Sequence, residues 1–257
     1  MYETIAYDVT DGVATITLNR PDKLNAITLQ LNSELRKAVK QASSDHEVRA
    51  VVLTGAGRAF CSGQDLGDVE EGTDYGEVLR TSYAPVVKEI DACEKPIIAA
   101  VNGVAAGAGF SLALACDFRL VSDKATFVEA FVHIGLIPDA ANLYYLPKLI
   151  GQAKALELAL LGEKISAEEA KELNLVTRLF AADDFEEEVR AFALHVAQMP
   201  TKAIGLIKRY MKEGWNTSLP AYLEKEAYGQ RIAGLSEDHQ EGVYAFMEKR
   251  KPVFQGK

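Results

Sequence analysis

With 257 residues, 48% of them hydrophobic and 25% charged, the chain has the composition of an ordinary globular protein rather than a disordered or fibrous one. A formal charge of −9 argues against a nucleic-acid binder, which normally carries a basic excess, but leaves room for a local basic spot facing a phosphorylated ligand. No apolar run reaches the roughly 18 residues of a membrane span, and Met1-Tyr-Glu-Thr-Ile5 lacks the basic start and apolar core of a signal peptide, so the expected location is cytoplasmic.

In chain order, Ile5–Val9 and Val13–Leu18 flank Asp11-Gly12, a strong hairpin signal. Arg20-Pro-Asp-Lys23 breaks the second strand. From Thr28 to Ser43, apolar residues at Leu29, Leu31, Leu35, Ala38 and Val39 predict an amphipathic helix. Ala50–Thr54 is a short strand closed by Gly55-Ala-Gly57. The polar, acidic stretch Gly67–Gly76 reads as a mobile loop, followed by a helix to Ala92. Ile97–Val101 is a strand ended by Asn102-Gly103, the small residues Ala105–Ala115 predict a tightly packed helix, and Phe118–Val121 is another strand. Strand, glycine turn and helix recur at least twice, which predicts an α/β core of right-handed repeated units.

After Gly151 the pattern becomes almost wholly helical. Ser166-Ala-Glu-Glu169 is a capping box, and Phe185–Gln198 and Ala203–Lys212 are further helices. The expected division is a core over 1–195 and a helical C-terminal region over 196–257. Cys61, Cys93 and Cys116 are odd in number and share no metal-type spacing, so they read as buried free thiols.

Two glycine-rich turns stand out, Cys61-Ser-Gly-Gln-Asp-Leu66 and Asn102-Gly-Val-Ala-Ala-Gly-Ala-Gly109. No lysine follows either as in a Walker A loop, and the full Gly-x-Gly-x-x-Gly set is missing. Two readings stay open on the residues alone. The turns either let helices pack closely, or they aim free N–H groups at a developing oxyanion, the second from the start of a helix. Downstream, Gly135-Leu-Ile-Pro-Asp139 places one acid in an apolar stretch from Phe131 to Leu149. Asp139 is either a helix N-cap or a desolvated base.

Ala59-Phe-Cys-Ser-Gly-Gln-Asp-Leu66, the run from Lys95-Pro-Ile-Ile to Gly109, and Cys116-Asp-Phe-Arg119 resemble the signature of the crotonase (enoyl-CoA hydratase/isomerase) superfamily. Leu18–Ile27 and Gly242–Pro252 fit as well, so the resemblance spans nearly the whole chain. It implies an α/β crotonase (ClpP-like) spiral of ββα units, a helical C-terminal trimerisation region, acyl-CoA substrates, and a homotrimer or dimer of trimers. By position, the oxyanion donors are the backbone N–H groups of Gln64 and Ala108. The coenzyme A cleft is lined by Leu24, Ala26, Ser62, Gly63, Gln64, Asp65, Leu66 and Ala108, with Phe246 and Lys249 often supplied by a neighbouring subunit. No metal or separate cofactor is implied, coenzyme A being part of the substrate.

Hydratases of this superfamily use two glutamates, where this chain has Ser111 and Phe131. Without either acid, positioning and protonation in a water addition lose several powers of ten. Asp139 remains, and a lone carboxylate in an apolar pocket suits a 1,3-proton shift. Gly135–Asp139, Gly55–Phe60 and the Pro252–Gly256 tail resemble the phenylacetate-degradation ring-1,2-epoxyphenylacetyl-CoA isomerases, themselves similar to Δ3,Δ2-enoyl-CoA isomerases. The run Ala140–Tyr145 departs from them, and Tyr144 and Tyr145 are candidates for reshaping the acyl pocket. A crotonase-type dehalogenase needs a histidine on the helix near 77–93, which holds none. Enoyl-CoA hydratase and a catalytically silent coenzyme A-binding subunit are the alternatives to the isomerase.

Overall fold

The structure, a computed structural model, describes residues 2–68 and 71–257. The predicted hairpin forms: β1 (Ile5–Thr10) and β2 (Val13–Leu18) pair antiparallel around Asp11-Gly12, with Thr10 opposite Val13. Then α1 (Leu29–Ser44) starts at Thr28, whose hydroxyl accepts from the Leu31 N–H at 3.1 Å. Its buried apolar residues, Leu31, Leu35, Ala38, Val39 and Ala42, recur at helical spacing and form one stripe.

Next come β3 (Ala50–Gly55), β4 (Ala59–Cys61), α2 (Tyr75–Val78), a π-helical turn (Leu79–Tyr83) and α3 (Ala84–Ala92). Val69 and Glu70, inside the acidic stretch expected to be a loop, lie outside the described residues. β5 (Ile97–Val101), β6 (Val104–Ala106), α4 (Ala108–Ala115), β7 (Phe118–Ser122) and β8 (Thr126–Val128) follow. Ala105 and Ala106 thus belong to a strand rather than to the predicted helix. Alanine side chains do not choose between the two, and pairing of β6 with β4 and β8 decides.

The remaining elements are α5 (Asn142–Ile150), α6 (Gln152–Leu161), β9 (Lys164–Ser166), α7 (Ala167–Glu172), β10 (Arg178–Phe180), α8 (Phe185–Ala197), α9 (Thr201–Gly214), α10 (Leu219–Gly234) and α11 (Glu237–Glu248). The capping box at Ser166 and Glu169 is present. β9 and β10 are the exceptions in the almost wholly helical stretch after Gly151: each is three residues long and made by pairing, with β8 and β7 respectively.

Two sheets result, a six-stranded one in the order β1-β2-β3-β5-β7-β10 and a four-stranded one in the order β4-β6-β8-β9. Each successive pair, β3 then β4, β5 then β6, β7 then β8, sends its first strand to the large sheet and its second to the small one. That is the repeating spiral the sequence implied. The central strands of the large sheet run parallel and are buried on both faces, as the solid burial of Ile97–Val101 shows. One face packs on α1 and α3, and the other on Phe185, Val189, Phe192 and Val196 of α8.

Three residues of the sequence motifs, Lys95, Asp117 and Arg119, prove to be structural, as does Arg49. Lys95 Nζ donates to the carbonyls of Ala42, at 2.6 Å, and Asp45. Asp117 accepts from the Ile97 N–H at 2.7 Å and pairs with Lys208. Arg119, 6% exposed, donates to the carbonyls of Cys116 and Leu175. Arg49 holds the C-terminal tail through the Phe254 carbonyl at 2.9 Å. All three cysteines are free and buried. Among the described residues, no helix is long and apolar enough to cross a membrane.

Candidate active site

The two glycine turns meet. A Cβ at Gly109 would lie 2.3 Å from the Cys61 carbonyl oxygen, and one at Gly63, where φ is +92°, would lie 2.9 Å from the Ala106 carbonyl and 3.4 Å from the Ala108 nitrogen. Only glycine allows these main chains to approach so closely. The segment carrying Leu24 and Ala26 lies along the first turn. The Ser62 N–H donates to the Leu24 carbonyl at 3.0 Å, the Ile27 N–H to the Gly63 carbonyl at 2.7 Å, and the Asp65 N–H to the Ile27 carbonyl at 2.9 Å.

This ladder leaves the Gln64 N–H without a partner among the described residues. Ala108 is the first residue of α4, where an amide has no intrahelical acceptor and the helix dipole is positive. Both residues line a cavity of about 140 Å³, together with Ser62, Gly63, Leu66, Tyr83, Phe131 and Asp139, among others. A space of that size takes an acyl group, and the bulk of a coenzyme A must lie outside it.

Among the described residues, Asp139 is the carboxylate that lines this cavity. Its Oδ1 is enclosed and has no hydrogen-bond partner, and burial pushes its carboxyl up to about 6. It does not cap a helix. The N-cap of α5 is Ala141, without a side-chain cap bond, and Asp139 contributes only its carbonyl, which accepts from the Asn142 N–H at 2.9 Å. The turn between them is strained: Ala140 and Ala141 take φ of +49° and +66°, a region costly to residues with a Cβ.

Tyr83 was not singled out in the sequence. The π-helical turn delivers it into the cavity, where it is 5% exposed and its hydroxyl donates to the Gln64 side-chain carbonyl. Burial, then the Asp139 charge, pushes its phenol well above the usual range. Among the described residues, no histidine lines the cavity.

Glu129 was missed as well. It is 1% exposed, just past the end of β8 and two residues before Phe131. Asn142 Nδ2 donates to Glu129 Oε1 at 2.7 Å and to Ser111 Oγ at 3.3 Å, and Ser111 Oγ donates to the Gly107 carbonyl at 3.2 Å. Burial pushes the Glu129 carboxyl up to about 7, opposed by the Asn142 amide and reinforced by Asp139. An acid inside the apolar run Phe127–Phe131 was the available signal. Glu129 does not line the cavity; it stands behind it.

The other residues expected to bind coenzyme A divide. Asp65 is turned to Arg20 at 2.9 Å, a pairing that, with the Gly67 amide, holds its carboxyl below the usual range. Ser62 Oγ donates to the Lys23 carbonyl at 3.4 Å, and Leu66 is exposed at the cavity mouth. Phe246, 86% exposed, and Lys249, the left-handed C-cap of α11, lie away from the cavity of their own chain. Tyr144 and Tyr145 do not line the cavity. Tyr144 stacks under Lys148, and the Tyr145 hydroxyl donates to Asp91 at 3.2 Å. Among the described residues, no cluster of three or more His, Cys, Asp or Glu could hold a metal ion.

A family model described as enoyl-CoA hydratase/isomerase matches residues 8–257. A probable enoyl-CoA hydratase of Rhodobacter capsulatus is 46% identical over all of this chain and 99% of the relative. The 1,2-epoxyphenylacetyl-CoA isomerase of Escherichia coli is 41% identical over the full length of both. Among solved structures, an enoyl-CoA hydratase from Bacillus anthracis superposes with a TM-score of 0.93 at 34% identity, covering 99% of this chain and all of that one.

Proposed function

The chain belongs to the enoyl-CoA hydratase/isomerase family, enzymes acting on coenzyme A thioesters, and on that premise we propose that it is an isomerase with Asp139 as its single proton shuttle. In this reading the thioester oxygen sits between the Gln64 and Ala108 amides. The Asp139 carboxylate removes the α-proton of a 3-enoyl-CoA, the electron pair moves into the thioester as a dienolate held by the two amides, and Asp139 returns the proton at the γ carbon to give the 2-enoyl ester. No electron is gained or lost overall, so the proposal includes no cofactor.

The observation that carries the reading is the composition of the cavity wall. Asp139 is its carboxylate among the described residues, raised by burial, and Phe131 lines it too; by the resemblance, Phe131 and the buried Ser111 outside the wall take the places of the two hydratase glutamates. The likeness to the Escherichia coli relative supports ring-1,2-epoxyphenylacetyl-CoA as a second substrate of the same proton chemistry. Leu24, Ala26 and the Ser62–Leu66 turn are proposed to border the coenzyme A cleft, with Phe246 and Lys249 reaching it from a neighbouring subunit of a trimer or a dimer of trimers. Exposed Trp215, Leu219, Phe246 and Met247 on the C-terminal helices support such an assembly.

Conversion of a 3-enoyl-CoA to its 2-enoyl isomer, followed in the wild type and in Asp139→Asn, tests the assignment. A loss of two or more powers of ten is expected in the variant; full retention would overturn it. Hydration of crotonyl-CoA at a rate matching isomerisation would favour the hydratase that the Rhodobacter capsulatus relative's name suggests. Binding of coenzyme A esters with no turnover would favour a silent binding subunit.

A further inference from the structure

The buried group Glu129–Asn142–Ser111 lies outside the cavity, and the proton shift described above makes no use of it. Its members are almost sealed from water: Glu129 is 1% exposed, Asn142 and Ser111 not at all. Asn142 connects this group to the base in two ways. Its main-chain N–H is held by the Asp139 carbonyl at 2.9 Å, and its side-chain amide is held by Glu129 at 2.7 Å. Between the two lies the turn with left-handed Ala140 and Ala141, a conformation that persists only when its surroundings fix it. Glu129 Oε2 and Asp139 Oδ1 are both enclosed acceptors without a donor. Two ionised carboxylates left in that condition would each carry a large desolvation cost.

We propose that Glu129 is a positioning residue for the Asp139 base, acting through Asn142, and that the two carboxyl groups titrate as one coupled unit in which Glu129 holds its proton while Asp139 works. The inference rests on the reading of Asp139 as the base. Glu129, in its protonated form, keeps Oε1 for the Asn142 amide and leaves Asp139 as the only buried negative charge of the pair. Once Asp139 is ionised, its charge strengthens the hold of Glu129 on its proton, on top of the burial that already favours the neutral acid. The phenol that faces Asp139 stays neutral: Tyr83, from the π-helical turn, is pushed up by burial and by the Asp139 charge.

The test has two arms, both on the full chain. In the first, kcat and KM for a 3-enoyl-CoA are followed against pH in the wild type, Glu129→Gln and Glu129→Ala. Glutamine preserves the acceptor for Asn142 and is expected to lower kcat about threefold. Alanine strands the amide and is expected to lower kcat about thirtyfold at unchanged KM. The wild-type profile should need two ionisations and the Glu129→Gln profile one; superimposable profiles would overturn the proposal.

The second arm does not depend on activity or on the folding of a Glu129 variant. Isotope-edited infrared titration, with 13C-carboxyl glutamate, reads the protonated Glu129 in the wild type and in Asp139→Asn. Its midpoint should fall when the Asp139 charge is removed, and an unchanged midpoint would refute the coupling. Full activity of Asp139→Asn alongside a shifted Glu129 midpoint would instead strike the base assignment and leave the coupled pair standing.

Discussion

The phenolic hydroxyl of Tyr83 donates to Oε1 of Gln64, which ties one wall of the cavity to the turn whose main-chain amide is proposed to hold the thioester oxygen. The bond fixes the Gln64 side chain and restrains the backbone that carries its N–H. Tyr83→Phe removes one neutral hydrogen bond and leaves the cavity its shape. Turnover of a 3-enoyl-CoA should fall about threefold to tenfold, the weight of a single such bond at the transition state. Steady-state kinetics give the answer, and a kcat equal to wild type would mean that the turn holds itself.

The acid side of the pH–rate profile should report Asp139. A base must be ionised to act, and burial sets this carboxyl at about 6. Below that value kcat/KM should fall about tenfold per pH unit. A profile flat down to pH 5 would show a base with an ordinary carboxyl value.

Stability should respond in the opposite direction. The folded-state value of Asp139, about 6, lies above the ordinary 3.8, so between those values the unfolded chain loses its proton first. The folded form is therefore penalised progressively as pH rises from about 4 to about 6, and the full penalty applies above. Asp139→Asn removes it. Urea denaturation should find the variant more stable at pH 7.5 by at most about 3 kcal/mol, less whatever solvent screening removes, with the gain vanishing near pH 4.

Gly63→Ala should separate folding from catalysis. The new methyl would sit 2.9 Å from the Ala106 carbonyl and demand a left-handed residue at φ +92°, so the first turn must move away from the second. The Gln64 amide moves with it. Loss of one oxyanion donor commonly costs on the order of 10²–10³ in rate. Circular dichroism should show the helices intact while isomerisation drops by that amount; a rate near wild type would remove Gln64 from the proposed oxyanion hole.

Local signals were legible in the sequence where they decide structure locally. Asp11-Gly12 marks the hairpin, the apolar spacing from Leu29 to Val39 marks α1, and Ser166 with Glu169 marks the start of α7. The small sheet was hidden because its three-residue strands are defined by partners far along the chain, as β6 and β9 are by β8. Asp139 was found as an acid in an apolar run, and its alternative as a helix cap fell only when the N-cap proved to be Ala141. Beyond its place in an apolar run, Glu129 carries no local signal of a role, lying two residues before Phe131 just past the end of a short strand. Its significance lies in Asn142, 13 positions away, which no spacing rule connects to it. Tyr83 escaped because a π-helical turn shifts the phase of the helix around it.

That shift in phase has a consequence for how the cavity can diversify. A π turn holds one residue more than regular α-helix needs, and each residue of an α-helix advances about 100° around its axis. Deleting a single codon within Leu79–Tyr83 would restore the regular helix and rotate Val78 and Leu79 relative to Tyr83, all three of which line the acyl space. Chain length at this one turn, independently of which side chains are encoded, is therefore a route by which descendants of such a protein could acquire a different acyl preference.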